Sequence, residues 1–99
     1  MFEILLTETA KAALRSLEKN PAKAGLVKQI KKSLGFLQTN PKHPSLNTHE
    51  YTSIPHPFNP KEKVFEAYAQ NRTSSAYRIF WCYGPHKGQM TIIAVTLHP

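Results

Sequence analysis

Lys63-Val64-Phe65-Glu66-Ala67-Tyr68, Ala76-Tyr77-Arg78-Ile79-Phe80-Trp81-Cys82-Tyr83 and Met90-Thr91-Ile92-Ile93-Ala94-Val95-Thr96-Leu97 decide how this chain folds. All three runs are rich in aromatic and β-branched residues, which suit a pleated, half-buried surface. They are bounded by Asn71-Arg72-Thr73-Ser74-Ser75 and by Gly84-Pro85-His86-Lys87-Gly88-Gln89, both stretches of turn chemistry. The reading is a three-stranded antiparallel meander over Val64 to Gln70, Ala76 to Tyr83 and Met90 to Leu97. In its middle strand Tyr77, Ile79, Trp81 and Tyr83 share one face, and Ala76, Arg78, Phe80 and Cys82 share the other.

Upstream the period changes. Ala10, Ala13, Leu14 and Leu17 recur at helical spacing between Glu8 and Lys19, and Thr7 is placed to cap that helix. Leu26, Val27, Ile30, Leu34 and Leu37 mark a second helix from about Ala22 to Gln38, with Lys23, Lys28, Lys31 and Lys32 mostly off its apolar face. Asn20-Pro21 separates the two tightly enough for a helical hairpin. Gly35 should weaken the last turn of the second helix by about 1 kcal/mol. Phe2 to Leu6 has the length of a strand and most simply pairs at an edge of the meander. The order β-α-α-β-β-β predicts one α+β domain over residues 1–99, with the helices on one face of an antiparallel sheet. Residues 41 to 62 hold five prolines and three histidines, His43, His49 and His56, so only short extended pieces are expected there.

Composition narrows the function classes. Thirteen Lys and Arg stand against six acidic residues, all Glu, for a net charge of +7 in 99 residues. An excess this large favours polyanions or an acidic protein segment as partners, although it also serves solubility. No apolar run reaches the roughly 20 residues of a membrane helix, and the N-terminus does not read as a signal peptide, so the cytoplasm is the expected location and no membrane partner is expected. The lone Cys82 allows no internal disulfide and sits in an apolar run as a buried thiol would. No Cys-x-x-Cys or His-Glu-x-x-His spacing occurs, so neither metal nor cofactor is expected; His43, His49 and His56 offer at most a chance site. Asn71-Arg72-Thr73 fits a glycosylation sequon without a secretory signal to use it.

In outline the whole chain resembles the RelE/ParE superfamily of toxins from bacterial toxin–antitoxin systems. The resemblance is specific over Lys63 to Tyr68, Ala76 to Trp81 and Met90 to Val95, which closes on Leu97-His98-Pro99. His43-Pro44-Ser45-Leu46-Asn47-Thr48-His49 is similar to the segment before the second strand in ParE-like members. The resemblance implies an antitoxin partner and one of two activities. RelE-like members cleave messenger RNA on the ribosome without a metal; ParE-like members inhibit DNA gyrase with no chemistry of their own. A retained fold serving only as a protein-binding module is the third reading.

It also implies roles for particular residues. Arg78 matches the family's phosphate-binding arginine. On a sheet face opposite the helices its guanidinium could grip a scissile phosphate bidentately; the plainer alternative pairs it with Glu66 across the strands. His98 matches a histidine at the exit of the last strand and could serve as acid or base for RNA cleavage, or be a frayed end. If the hairpin pairs positions whose numbers sum to an even value, Arg78 and His98 share a face. Glu66 could be a second acid/base and Tyr68 could stack on a base, though RelE-like members tend to carry lysines on this strand. Lys63 and Arg72 flank it and could contact phosphates or simply be solvated. The lysines of the second helix are a solvated face or an approach to ribosomal RNA or gyrase. The chain also closes without the C-terminal helix of several family nucleases, and Thr52 to Glu62 reads as an insertion that covers or lines the site.

Overall fold

The computed structural model describes residues 1–70 and 76–97. Its elements are β1 (Glu3–Leu6), α1 (Glu8–Glu18), α2 (Ala24–Thr39), β2 (His49–Glu50), β3 (Phe65–Tyr68), β4 (Tyr77–Tyr83) and β5 (Gln89–Leu97). A 3₁₀ turn, Pro21–Lys23, joins the helices, and a second one, Pro44–Leu46, precedes β2. Among the described residues no helix is long and apolar enough to cross a membrane.

The five strands form one sheet in the order β1-β5-β4-β3-β2. The meander β3-β4-β5 is antiparallel as its turns require, and β1 lies at its edge. The sheet is nevertheless mixed rather than antiparallel, because β1 runs parallel to β5, with Ile4 beside Met90 and Leu6 beside Ile92. β2, one of the short extended pieces expected in the proline-rich segment, is a two-residue strand on the far edge that pairs His49 with Glu66 and Glu50 with Phe65.

Both helices cover one side of this sheet. Ala10 and Leu17 of α1 and Val27, Ile30 and Leu37 of α2 pack with Ala67, Ile79, Trp81, Met90, Ile92 and Val95 into one apolar cluster. Each large side chain fully buried there contributes about 1.5–3 kcal/mol. Met90, Ile92 and Val95 change spacing from two to three, which a regular strand would put on opposite faces. A β-bulge resolves this: Phe80 faces Ala94, whereas Trp81 faces Ile92, leaving Ile93 as the extra residue. The pairing sum is therefore odd near the turn and even at Arg78, which faces Thr96. Thr7 fastens the bulge to α1. Its Oγ1 accepts from the Ala10 amide at 3.1 Å as the helix cap and donates to the Ile93 carbonyl at 2.7 Å.

The opposite sheet face is divided. Near the β4–β5 turn it is covered by the loop after β2. The Tyr51 ring lies 4.7 Å from Phe80, and His56 is buried with Nε2 3.0 Å from the Tyr83 carbonyl. The Nδ1 of His56 accepts from the amides of Phe58 and Asn59, so that nitrogen carries no proton and Nε2–H is the donor to Tyr83. The expected insertion from Thr52 to Glu62 thus covers this half of the face.

Candidate functional site

The other half of that face carries His49, Glu66, Tyr68 and Arg78, brought together by three strands. Two-residue alternation places Glu66 and Tyr68 on the same side of β3. Pairing with β2 then sets His49 directly opposite Glu66. Nε2 of His49 is 2.6 Å from Oε1 of Glu66, whose side chain is 1% exposed while the imidazole is half-exposed. Nδ1 of His49 is 3.0 Å from the backbone oxygen of Asn47. Asn47 closes the preceding 3₁₀ turn in the left-handed region, with φ 45°, a conformation that asparagine tolerates better than most residues.

An oxygen therefore stands on each ring nitrogen of His49. A backbone carbonyl can only accept, so Nδ1 carries the hydrogen of that bond. The Nε2–Oε1 bond needs one more, either on the imidazole as a cation or on Glu66 as a carboxylic acid. The pair holds one exchangeable proton at the boundary between a buried carboxyl group and a solvent-facing ring. That is the arrangement of a proton donor.

Arg78 lies opposite Tyr68 in the register, and Glu66 lies opposite Phe80. The guanidinium carbon sits 3.7 Å from the centroid of the Tyr68 ring, a close cation–π stack. Its Nη1 donates to the Gln70 carbonyl at 2.8 Å and to the Tyr77 carbonyl at 3.2 Å. Its Nε has no hydrogen-bond partner among the described residues. The expected side of the sheet is the observed one, away from the helices. The expected free projection is not: Arg78 is only 8% exposed. Tyr68 of β3 supplies the aromatic face that holds it flat, and the two carbonyls come from Gln70, just past the end of β3, and from Tyr77 of its own strand. Tyr68 meets the His49 ring edge-on at 6.0 Å, so it touches both Arg78 and His49.

Lys63 lies before β3, is largely exposed, and is 3.9 Å from the Glu50 carboxylate. Arg72 and His98 lie outside the described residues. Among the described residues no three His, Cys or acidic side chains are grouped as a metal site. Cys82 is fully buried on this face, and burial pushes its thiol up to about 11.

The residue that sequence reasoning passed over is His49. It stands out in the sequence only as one of three histidines in a proline-rich segment and as the end of the stretch similar to ParE-like members, with no role attached. Its partner is 17 positions away, and nothing local indicates that a two-residue strand will pair there.

These features, a helical hairpin on one side of the sheet and charged residues at the open end of the other, define the RelE/ParE toxin fold, and solved structures carry it over nearly the full chain. A YoeB/ParE toxin from Agrobacterium tumefaciens is 10% identical at a TM-score of 0.70, covering 99% of this chain and 100% of that one. A metal-bound toxin from Helicobacter pylori is 16% identical at 0.71, covering 99% and 96%. The YoeB–YefM toxin–antitoxin heterotetramer from Staphylococcus aureus gives 12% identity at 0.63, covering 100% and 99%. No family model matches the sequence, and no curated protein does.

Proposed function

We propose that this chain is one RelE/ParE-like toxin domain, the toxin half of a toxin–antitoxin pair, and that it cleaves translated messenger RNA without a metal. The observation that carries the reading is the His49–Glu66 hydrogen bond beside an arginine stacked on a tyrosine, all on the sheet face away from the helices. Cleavage within RNA needs the 2′-hydroxyl to lose its proton as its oxygen bonds to phosphorus, and the departing 5′-oxygen to gain one as the P–O5′ bond breaks. His49, backed by Glu66, donates to the 5′-oxygen. His98 is the residue proposed to take the 2′ proton. Arg78 meets the charge that grows on the phosphate, where a fixed cation acts most strongly. Tyr68 holds that arginine and offers a ring for a base, and Lys63 and Arg72 draw in the flanking phosphates. The fold shared with an antitoxin-bound toxin supports an antitoxin as the inhibiting partner.

One observation favours the rival reading, a gyrase-binding toxin with no reaction site. Nη1 of Arg78 is already held by two carbonyls and the side chain is nearly buried, as a purely structural arginine would be. The experiment is RNA cleavage during translation by the purified protein, with DNA supercoiling by gyrase assayed in parallel. Cleavage that is lost in both His49→Ala and Arg78→Ala supports the nuclease. Intact RNA with inhibited supercoiling assigns the chain to the rival class.

A further inference from the structure

Val27, Ile30, Ser33 and Leu37 are the buried side chains of α2, and Ser33 is the polar one among them. It lies three residues after Ile30 and four before Leu37, on the stripe that those two define, and it is 8% exposed. A buried hydroxyl is costly unless it is hydrogen-bonded. Within a helix the nearest acceptor is the carbonyl four residues back, and Thr39 uses that of Gly35, 2.9 Å away. Ser33 instead reaches out of its layer: its Oγ donates to the backbone carbonyl of Tyr68 at 3.2 Å. Alanine would fit the same space and suit the helix better, so what serine adds here is the hydroxyl alone.

The Tyr68 carbonyl lies outside the ladder that joins β3 to β4. The amide of Ala69 donates to the Tyr77 carbonyl at 3.2 Å, so Ala69 turns its polar groups toward β4. Tyr68, one residue earlier, therefore turns its own toward the outer edge. The pairing of β2 with β3, extended by two residues, would set Asn47 beside Tyr68. β2 begins only at His49, however, and Asn47 is the left-handed cap of the 3₁₀ turn. Tyr68 is also the last residue of β3. The helical layer thus ties down the strand end that β2 does not reach.

That strand end carries the candidate site. The Tyr68 ring supports the Arg78 guanidinium at 3.7 Å and meets the His49 ring at 6.0 Å, on the face away from the helices. Displacing the backbone of Tyr68 would move the ring against both. We propose that Ser33 is a positioning residue: by holding the Tyr68 carbonyl from the helical layer, it fixes the ring that sets Arg78 and His49 in place on the opposite face. Its part in turnover rests on the nuclease reading; its hold on Arg78 does not.

Arg78 offers a readout that needs no cleavage. Its Nε–H is buried without a partner among the described residues, so solvent reaches that proton only when the stack opens. In the intact labelled protein its NMR signal is assigned by its disappearance in Arg78→Lys. Ser33→Ala should speed solvent exchange of this proton by about 3–10-fold, the equilibrium worth of one hydrogen bond. The Phe58 and Asn59 amides, held by His56 at the far end of the sheet face, should exchange as before. In RNA cleavage the kcat of Ser33→Ala should fall by a similar factor while KM stays within about twofold. Ser33→Thr, which keeps the hydroxyl, should restore both readouts. Unchanged exchange at Arg78, an equal acceleration at Phe58 and Asn59, or no recovery in Ser33→Thr overturns the positioning role. Faster exchange at Arg78 with an unchanged kcat overturns its part in turnover alone. If the parent protein leaves RNA intact while Ser33→Ala loosens Arg78, the nuclease reading is refuted and the hold on Arg78 stands.

Discussion

Nε2 of the half-exposed His49 lies 2.6 Å from Oε1 of the fully buried Glu66, so a proton at the surface of this protein is held by a carboxyl group inside it. Neither residue alone has the properties of the pair. Glu66→Gln keeps the shape and a hydrogen bond to the ring but removes the charge that can back an imidazolium. In an RNA-cleavage assay the turnover of Glu66→Gln should fall by about 10²–10⁴-fold, the usual range for a lost acid–base contribution. Substrate binding should change little. A variant with full turnover excludes the pair from the chemistry.

The Arg78–Tyr68 stack separates a ring effect from a hydroxyl effect. Tyr68→Phe keeps the face on which the guanidinium rests, and its stability should stay within about 0.5 kcal/mol of the parent. Tyr68→Ala should cost about 1–3 kcal/mol through lost packing and a released, partly buried cation. Urea denaturation of the two variants measures the difference. Equal stabilities would show that the stack holds nothing in place.

Cys82 supplies a pH prediction. Its thiol remains protonated to about 11 in the folded chain, against 9.0 in the open reference state. Above pH 9 the unfolded chain therefore releases this proton first. The Cys82 contribution is fully present below pH 9 and is lost as pH rises toward 11. Stability of Cys82→Ala should show a shallower decline over that window. At pH 8 iodoacetamide should modify the native protein hardly at all and the urea-unfolded protein readily.

Gly35 sits inside α2, which continues past it to Thr39, and a methyl group built there meets nothing within 4 Å. Gly35→Ala should raise stability by about 0.5–1 kcal/mol, since it removes backbone freedom from the unfolded chain at no steric cost. The melting temperature checks it.

His56 fastens the proline-rich loop by three hydrogen bonds, two accepted at Nδ1 and one donated from Nε2. His56→Ala leaves two amides and a carbonyl to find water and should destabilise the protein by about 1–3 kcal/mol. Hydrogen exchange at Phe58 and Asn59 should accelerate before the core strands respond. Unchanged protection there would place the loop's anchor elsewhere, at Tyr51 on Phe80.

The helices were legible because Leu14 with Leu17, and Val27 with Ile30, repeat at the period of a helix wherever the chain folds. Thr7 could be read as a cap because capping is decided within four residues. The face of Arg78 followed from alternation along β4. Its confinement did not, because the Tyr68 ring that holds it belongs to the neighbouring strand and the Gln70 carbonyl to the residues just past that strand's end. The bulge at Ile93 left a trace in the spacing of Met90, Ile92 and Val95, but that trace acquires meaning only once a helix face is known to cover those three.

What the sequence determines by itself is whatever depends on near neighbours: period, capping, turn chemistry, charge and the side of a strand on which a residue falls. The tertiary structure alone decided that β1 lies parallel to β5, that His49 meets Glu66, and that Arg78 rests on Tyr68. Each of these is a pairing between segments distant along the chain. Such pairings are selected by the burial of one common core, and no short stretch of residues encodes that burial on its own.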